Sequence, residues 1–238
     1  MKAMILSAGL GTRLKPITDK HPKALAVVNG RSLLQRNIEY LQEYGIKDII
    51  VNVHHFTNQI TDLIKKNKGF ESNVTISDES DEVLETGGGL MKAKHFFDEK
   101  EPFVLMNVDV LTDMNLRRMI KQHISSKALA TLAVTNRKTN RYFLFDDVEN
   151  LCGWKNIKTG EQKISRETKK YFEKAFSGIH VISPEIFPLI KCKGKFSMVD
   201  VYLDLAKMHT ITAFDHSPSK FIDVGKPESI AIAEEIFS

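Results

Sequence analysis

Strand-like apolar runs and amphipathic helical stretches take turns through the first 135 residues, and that alternation leaves few folds open to the chain. Residues 2–7 read as a buried strand. Ser32 is placed to cap a helix whose apolar positions Leu33, Leu34, Ile38 and Leu41 recur at helical spacing until Gly45 stops it. Residues 48–53 predict a second strand, and Ile60, Leu63 and Ile64 the helix after it. The alternation continues with a strand over 74–77, a helix over 90–97, a strongly apolar strand over 103–108, a helix over 116–124 and a strand over 128–135. Strands alternating with helices predict an α/β fold in three layers, a mostly parallel sheet covered on both faces. Ligands of such sheets collect at the carboxyl ends of the strands.

From residue 141 onward the pattern changes to short segments interrupted by polar residues, 142–145, 151–154 and 162–164, which read as antiparallel strands. They predict a small inserted lobe over roughly residues 136–175. Alternation then returns with a strand over 175–182, a helical turn from Pro184, a helix over 199–207, a strand over 221–224 and a closing helix over 227–237. Residues 1–238 are thus expected to form a single domain that carries the lobe.

The first strand runs into the densest signal in the chain, ILSAGLGTRLKPITDKHPK at 5–23. Gly9 and Gly11 let backbone N–H groups come close to an anion, Thr12 adds a hydroxyl, and Arg13 offers a planar fork suited to phosphate oxygens. A Walker loop would need Gly-Lys-Ser/Thr, whereas Gly11 is followed by Thr12 and Arg13. A dinucleotide fingerprint would place glycine or alanine at 14 and an acidic residue about twenty positions on; Leu14 stands there instead. Pro16 and Pro22 forbid an immediate helix, so the loop is long and ends at Lys23. A lone GxG is usually an ordinary turn, but Arg13, Pro22 and Lys23 in train point to a polyphosphate cradle.

Composition narrows the partners. The formal charge is +4, from 34 basic and 30 acidic residues, with no arginine-rich tract, which suits small anions and not nucleic acid. Cys152 and Cys192 form no CxxC pair and are expected as reduced thiols of a cytoplasmic protein. No signal peptide or bilayer-length apolar stretch is visible, so no membrane association is expected.

Asp109 follows the apolar strand 103–108, at its carboxyl end, where a carboxylate can hold Mg²⁺. Asp223 ends another strand, just before Val224-Gly225-Lys226-Pro227, and the two together suit a shared metal. Either could instead be a turn residue. Three consecutive glycines at 87–89 make sense where a flat base or ribose packs on exposed backbone, although Thr86 could simply cap the helix that follows. Asp78 and Glu79 could accept hydrogen bonds from a nucleotide, or be solvated. His54 and His55, adjacent on a strand, point to opposite faces and read as strand-end residues, not a metal pair. Trp154 reads as packing in the lobe, and Asp200 and Asp204 share a helix face.

These residues resemble a family. AGLGTRL followed by P-x-T-x-x-x-P-K is similar to the signature of sugar-1-phosphate nucleotidyltransferases, and NVD at 107–109, LETGGG at 84–89, FSGIHVISPEIF at 176–187 and DVGKPES at 223–229 resemble its later motifs in order. The length and the LETGGG form look closest to the compact bacterial branch acting on N-acetylmuramate 1-phosphate or on mannose or heptose 1-phosphate. The resemblance implies a Rossmann-like fold of the nucleotide-diphospho-sugar transferase type without a carboxy-terminal left-handed β-helix. It implies nucleotide contacts at Ala8, Gly9, Gly11, Thr12, Arg13, Glu79, Gly87 and Gly88, sugar contacts at Asn107, Gly178 and Asp200, and Mg²⁺ on Asp109 and Asp223. The substrates implied are a nucleoside triphosphate, UTP or GTP, and a sugar 1-phosphate, handled by a monomer or homodimer. One departure stands out: the family's Glu-Lys-Pro motif is absent between 136 and 175, where Lys155, Lys163 and Lys169 are the available substitutes.

A sugar 1-phosphate is largely dianionic at neutral pH, with its second pKa near ~6, and needs no general base to attack phosphorus. The expected machinery is therefore cationic: Arg13 with the Gly11 and Thr12 backbone on the β and γ phosphates, and Lys23 on the α-phosphate and the incoming phosphate. The missing third glycine weighs against a nicotinamide dehydrogenase. A non-catalytic nucleotide-sugar-binding relative could have lost Arg13, Lys23, Asp109 and Asp223, which are intact. A choline-phosphate cytidylyltransferase on the same fold would predict an aromatic or acidic cage.

Overall fold

Four consecutive buried residues, β1 (Ala3–Leu6), sit at the centre of the sheet in a computed structural model that describes residues 1–98 and 100–238. Side chains alternate across a strand, so Met4 and Leu6 enter one core and Ala3 and Ile5 the other. After β1 the chain makes three short 3₁₀ turns, Thr12–Leu14, Ile17–Asp19 and Lys23–Leu25, before the hairpin β2 (Val27–Val28) and β3 (Arg31–Ser32). The prolines thus hold off helix formation until α1 (Leu33–Glu43), where the Ser32 side chain accepts from the Gln35 N–H as the expected cap.

Alternation follows as expected: β4 (Asp48–Val53), α2 (Thr57–Lys66), β5 (Asn73–Asp78), α3 (Glu85–Lys92), β6 (Phe103–Asn107), β7 (Val110–Thr112), α4 (Leu116–Ser126) and β8 (Ala130–Thr135). β5, β4, β1 and β6 lie side by side and parallel. The lobe consists of antiparallel β9 (Arg141–Phe145), β10 (Leu151–Asn156) and β11 (Gln162–Ile164). It is joined to the main sheet by β12 (Phe172–Ile182), whose residues 172–174 pair with β9 while 179–182 pair with β6. One ten-stranded sheet therefore runs through the core and the lobe. The chain closes with α5 (Met198–Leu205), β13 (Ile211–Asp215) beside β8, β14 (Phe221–Asp223) antiparallel to β7, and α6 (Glu228–Ile236).

Helices cover both faces. α1, α2 and α4 pack on one through Leu34, Ile38, Leu41, Ile60 and Met119, and α3 and α5 on the other through Leu90, Val201 and Tyr202. A third cluster, Leu14, Val28, Leu33, Val224 and Ala233, seals the first loop against α6. The expected helix over 90–97 starts earlier, at Glu85, and takes in the three glycines. β14 answers to the strand expected over 221–224, while β2, β3, β7 and β13 extend the plan; all of these but β13 are of two or three residues, too short to show a period. Cys152 is buried and Cys192 exposed, both free. No helix among the described residues is long and apolar enough to cross a membrane.

Candidate active site

At the carboxyl ends of β1 and β6 the loop after β1 rims a cavity of about 420 Å³. Ala8, Gly9, Gly11, Thr12, Arg13 and Lys23 line it from the loop, and Asn107 and Asp109 from the end of β6. The fold of the loop follows from Gly11, which sits at φ +61 with its carbonyl accepting from the Leu14 N–H (2.8 Å) and the Thr18 hydroxyl (2.9 Å). A Cβ there would stand 2.9 Å from the Thr18 methyl, so only glycine gives this bend. The bend turns Arg13 back toward Gly225 in the segment after β14.

Two carboxylates meet beside that loop. β14 pairs with β7 so that Asp223 lies opposite Val110, and the Val224 N–H donates to the Asp109 carbonyl at 2.8 Å. Lys23 Nζ, largely shielded from water, makes an ion pair with Asp109 Oδ2. Gly225 leaves room for both neighbours: its Cβ position would lie 2.7 Å from Asp223 Oδ1 and 3.2 Å from Arg13 Nη2. Although Asp223 reaches solvent, the water its carboxylate loses and the charge of Asp109 push its pKa up, more than Lys23, Arg13 and Arg137 pull it down. Two repelling carboxylates amid cations are a place where a hard divalent cation would lower the energy.

A buried polar relay ties the surrounding strand ends together. Ser7 N–H donates to Asn52 Oδ1 (2.7 Å), Asn52 Nδ2 donates to Glu79 Oε1 (2.8 Å), and the Leu84 N–H donates to Glu79 Oε2 (3.2 Å). Glu79 is only 1% exposed and does not line the cavity. This corrects the expectation of a nucleotide contact there: one oxygen is taken by Asn52 and the other by the turn before α3.

Gly87 and Gly88 also depart from expectation. Neither lines the cavity; both are buried in α3, their N–H groups donating to the Phe196 carbonyl at 2.9 and 3.3 Å. A Cβ on Gly87 would overlap the Phe196 ring, and one on Gly88 the Gly194 carbonyl. The glycines thus let segment 194–197 lie on the helix backbone, and Val83, Glu85, Thr86 and Ser197 present the wall instead. Gly88→Ala should cost about 3 kcal/mol by overpacking and lower the melting temperature by on the order of 8 °C in a thermal scan. An unchanged melting temperature would show that segment 194–197 yields freely.

Of the expected sugar contacts, Asn107 lines the cavity, whereas Gly178 does not and packs behind Asn107, its Cβ position 2.6 Å from Asn107 Nδ2. Asp200 does not join them: it sits on α5 and accepts from Lys163 Nζ at 3.0 Å. Lys155 pairs with Glu173, and none of Lys155, Lys163 and Lys169 lines the cavity. His54 Nδ1 lies 2.6 Å from the Glu79 carbonyl and the His55 ring packs on Phe56, consistent with strand-end residues. The residue missed from sequence is Arg137, whose charge reaches Asp223 from the loop between β8 and β9. It stands in a polar run, NRKTNR, that shows no period.

Comparison with known proteins gives the following. Residues 2–145 match the family described as Nucleotidyl transferase. A mannose-1-phosphate guanyltransferase of Yarrowia lipolytica is 28% identical over 235 residues, covering 96% of this chain and 61% of that protein. An N-acetylmuramate alpha-1-phosphate uridylyltransferase of Neisseria meningitidis is 26% identical, covering 94% of this chain and 93% of that protein. The crystal structure of HddC from Yersinia pseudotuberculosis superposes with a TM-score of 0.78 at 25% identity, covering 100% of this chain and 99% of that one. The chain spans about three fifths of the length of the guanyltransferase relatives it matches.

Proposed function

The chain belongs to the nucleotidyl transferase family, and on that premise we propose that it transfers a nucleotidyl group from a nucleoside triphosphate to a sugar 1-phosphate. The observation that carries this reading is the meeting of Arg13 and Lys23 with Asp109 and Asp223 at one end of the sheet. A phosphate oxygen of the acceptor attacks the α-phosphorus, a new P–O bond forms, the bond from that phosphorus to the bridging oxygen of the β-phosphate breaks, and pyrophosphate leaves with the electron pair. The attacking oxygen is already anionic, so no proton has to be removed.

Arg13 and the N–H groups around Gly11 and Thr12 take the β and γ phosphates, whose negative charge grows as the bond breaks. Lys23, at the end of the loop and paired with Asp109, takes the α-phosphate. Members of the family typically use a divalent metal, which we assign as Mg²⁺ held by Asp109 and Asp223. The fit is chemical: two carboxylates, with no third His, Cys, Asp or Glu grouped with them among the described residues, suit a cation that keeps waters and shares phosphate oxygens. When bound, it would neutralise charge between donor and acceptor phosphates.

The names of the relatives lead us to GTP or UTP as donor and to mannose 1-phosphate or N-acetylmuramate 1-phosphate as acceptor. Among the described residues no aromatic side chain lines the cavity, which disfavours a cage for choline. Pyrophosphate release should be measured for each ribonucleoside triphosphate and dTTP against mannose, glucose and N-acetylmuramate 1-phosphates and phosphocholine. The expected result is release with a sugar 1-phosphate, lost on chelation with EDTA and restored by Mg²⁺. Release with phosphocholine alone, or with no pair, would overturn the reading.

A further inference from the structure

Three polar side-chain atoms near the end of β8 are buried without a hydrogen-bond partner: Arg137 Nη1, His216 Nδ1 and Thr135 Oγ1. They belong to one cluster. Thr135 ends β8, opposite Ala175 of β12, and Arg137 follows it by two residues. His216 follows β13, donates its backbone N–H to the Val134 carbonyl (3.0 Å), and sets Nε2 2.8 Å from the Ser177 hydroxyl. Arg137 Nη2 donates to the carbonyl of the neighbouring Phe176 at 2.8 Å. The two side chains share the Phe221 ring, the guanidinium carbon 4.9 Å and the imidazole 5.6 Å from its centroid.

That ring fixes the place of the cluster. Phe221 and Asp223 are two residues apart on β14 and so point to the same side. Arg137, stacked on Phe221, therefore stands beside Asp223, yet makes no ion pair with it within 4 Å. The guanidinium is held by a stack and one hydrogen bond, and its Nη1 edge is committed to nothing in the protein. A buried donor left unpaired is costly, so such a group calls for a partner.

We propose that Arg137, beside Asp223 though not among the residues that line the 420 Å³ cavity, receives the phosphate of the acceptor, so that the site holds its two anionic substrates with cations from two separate elements. Arg13 and Lys23 come from the loop after β1 and serve the triphosphate; Arg137 comes from the entry to the lobe and serves the sugar 1-phosphate. The inference rests on the transferase reading above. It supplies a cation on the acceptor side, where Lys155 and Lys163 are paired with Glu173 and Asp200. An arginine suits the task because its planar fork fits phosphate oxygens while its face stays on an aromatic ring.

The test compares wild type with Arg137→Met and Arg137→Lys, each first checked for an unchanged circular dichroism spectrum. In steady-state assays Arg137→Met should raise KM for the sugar 1-phosphate tenfold or more and leave KM for the nucleoside triphosphate within twofold. Arg137→Lys should recover part of the loss. A rise confined to the triphosphate KM, or an equal fall of kcat with neither KM changed, would overturn the proposal. Inorganic phosphate, titrated calorimetrically onto the folded proteins, separates this inference from the transferase reading. If wild type turns over no sugar 1-phosphate, that reading fails; weaker phosphate binding in Arg137→Met than in wild type still supports an anion site at Arg137, and equal binding overturns it. If Arg137→Met does not fold, the folded Arg137→Lys protein carries the same comparison.

Discussion

Turnover of Asp109→Asn and Asp223→Asn should fall by at least about a hundredfold, while their thermal stabilities move in opposite directions. Asp223 sits in a field that disfavours its own charge, because loss of water and the nearby Asp109 outweigh Lys23, Arg13 and Arg137. Making it neutral relieves the fold, so Asp223→Asn should melt above wild type. Asp109 instead accepts from Lys23, an ammonium largely out of water, and neutralising it strands that charge. The cost is about 2 kcal/mol, or a melting temperature lower by on the order of 5 °C. Scanning calorimetry and pyrophosphate release on the same preparations test both halves. Retained turnover in both variants would remove the metal assignment, and parallel shifts in stability would remove the account of their charges.

Acid should weaken the fold well before its carboxylates titrate. His123, His180 and His216 are at most 3% exposed. Burial holds His180 down to about 3 and His123 to about 4. Burial also holds His216 to about 4, with Arg137 acting in the same direction and Asp215 and Asp113 against it. In the unfolded chain each takes up a proton near 6.5. Between those values the unfolded state binds more protons than the folded one, so stability is complete above pH 6.5 and is lost as pH falls toward 4. Each imidazole contributes about 1.4 kcal/mol per pH unit in that window, and the three together about 4. Urea midpoints at pH 7, 6 and 5 should fall steeply, and His123→Gln, which keeps a polar group beside Thr131 and Ser183, should remove about a third of the slope. A flat series would mean that these rings protonate inside the fold.

The parts of the site that sequence made legible are those whose chemistry is local. The loop residues that line the cavity stand close together between 8 and 23, and Asp109 and Asp223 could be located because apolar strands run directly into them. The three glycines misled for a physical reason. Each glycine costs a helix about 1 kcal/mol, so the composition argues against the helix that forms. The compensation lies in segment 194–197, more than a hundred residues away. Glu79 looked like a free carboxylate because nothing near it in sequence shows that Asn52 and the Leu84 N–H will claim its oxygens. Arg137 was hidden for a similar reason: its burial comes from Phe176 and Phe221, on two strands it does not neighbour in the chain.

Because β12 pairs with β9 at one end and β6 at the other, the lobe and the strand that leads into Asn107 and Asp109 are bolted to a single beam. On the function proposed above, replacing residues 136–174 as one cassette, with the splice made where Ala175 pairs with Thr135, should exchange acceptor preference while leaving the main sheet intact. Cutting further along, inside 179–182, would unseat β6 and carry Asn107 and Asp109 away from the loop after β1. The architecture marks out a natural joint for engineers as well as for evolution.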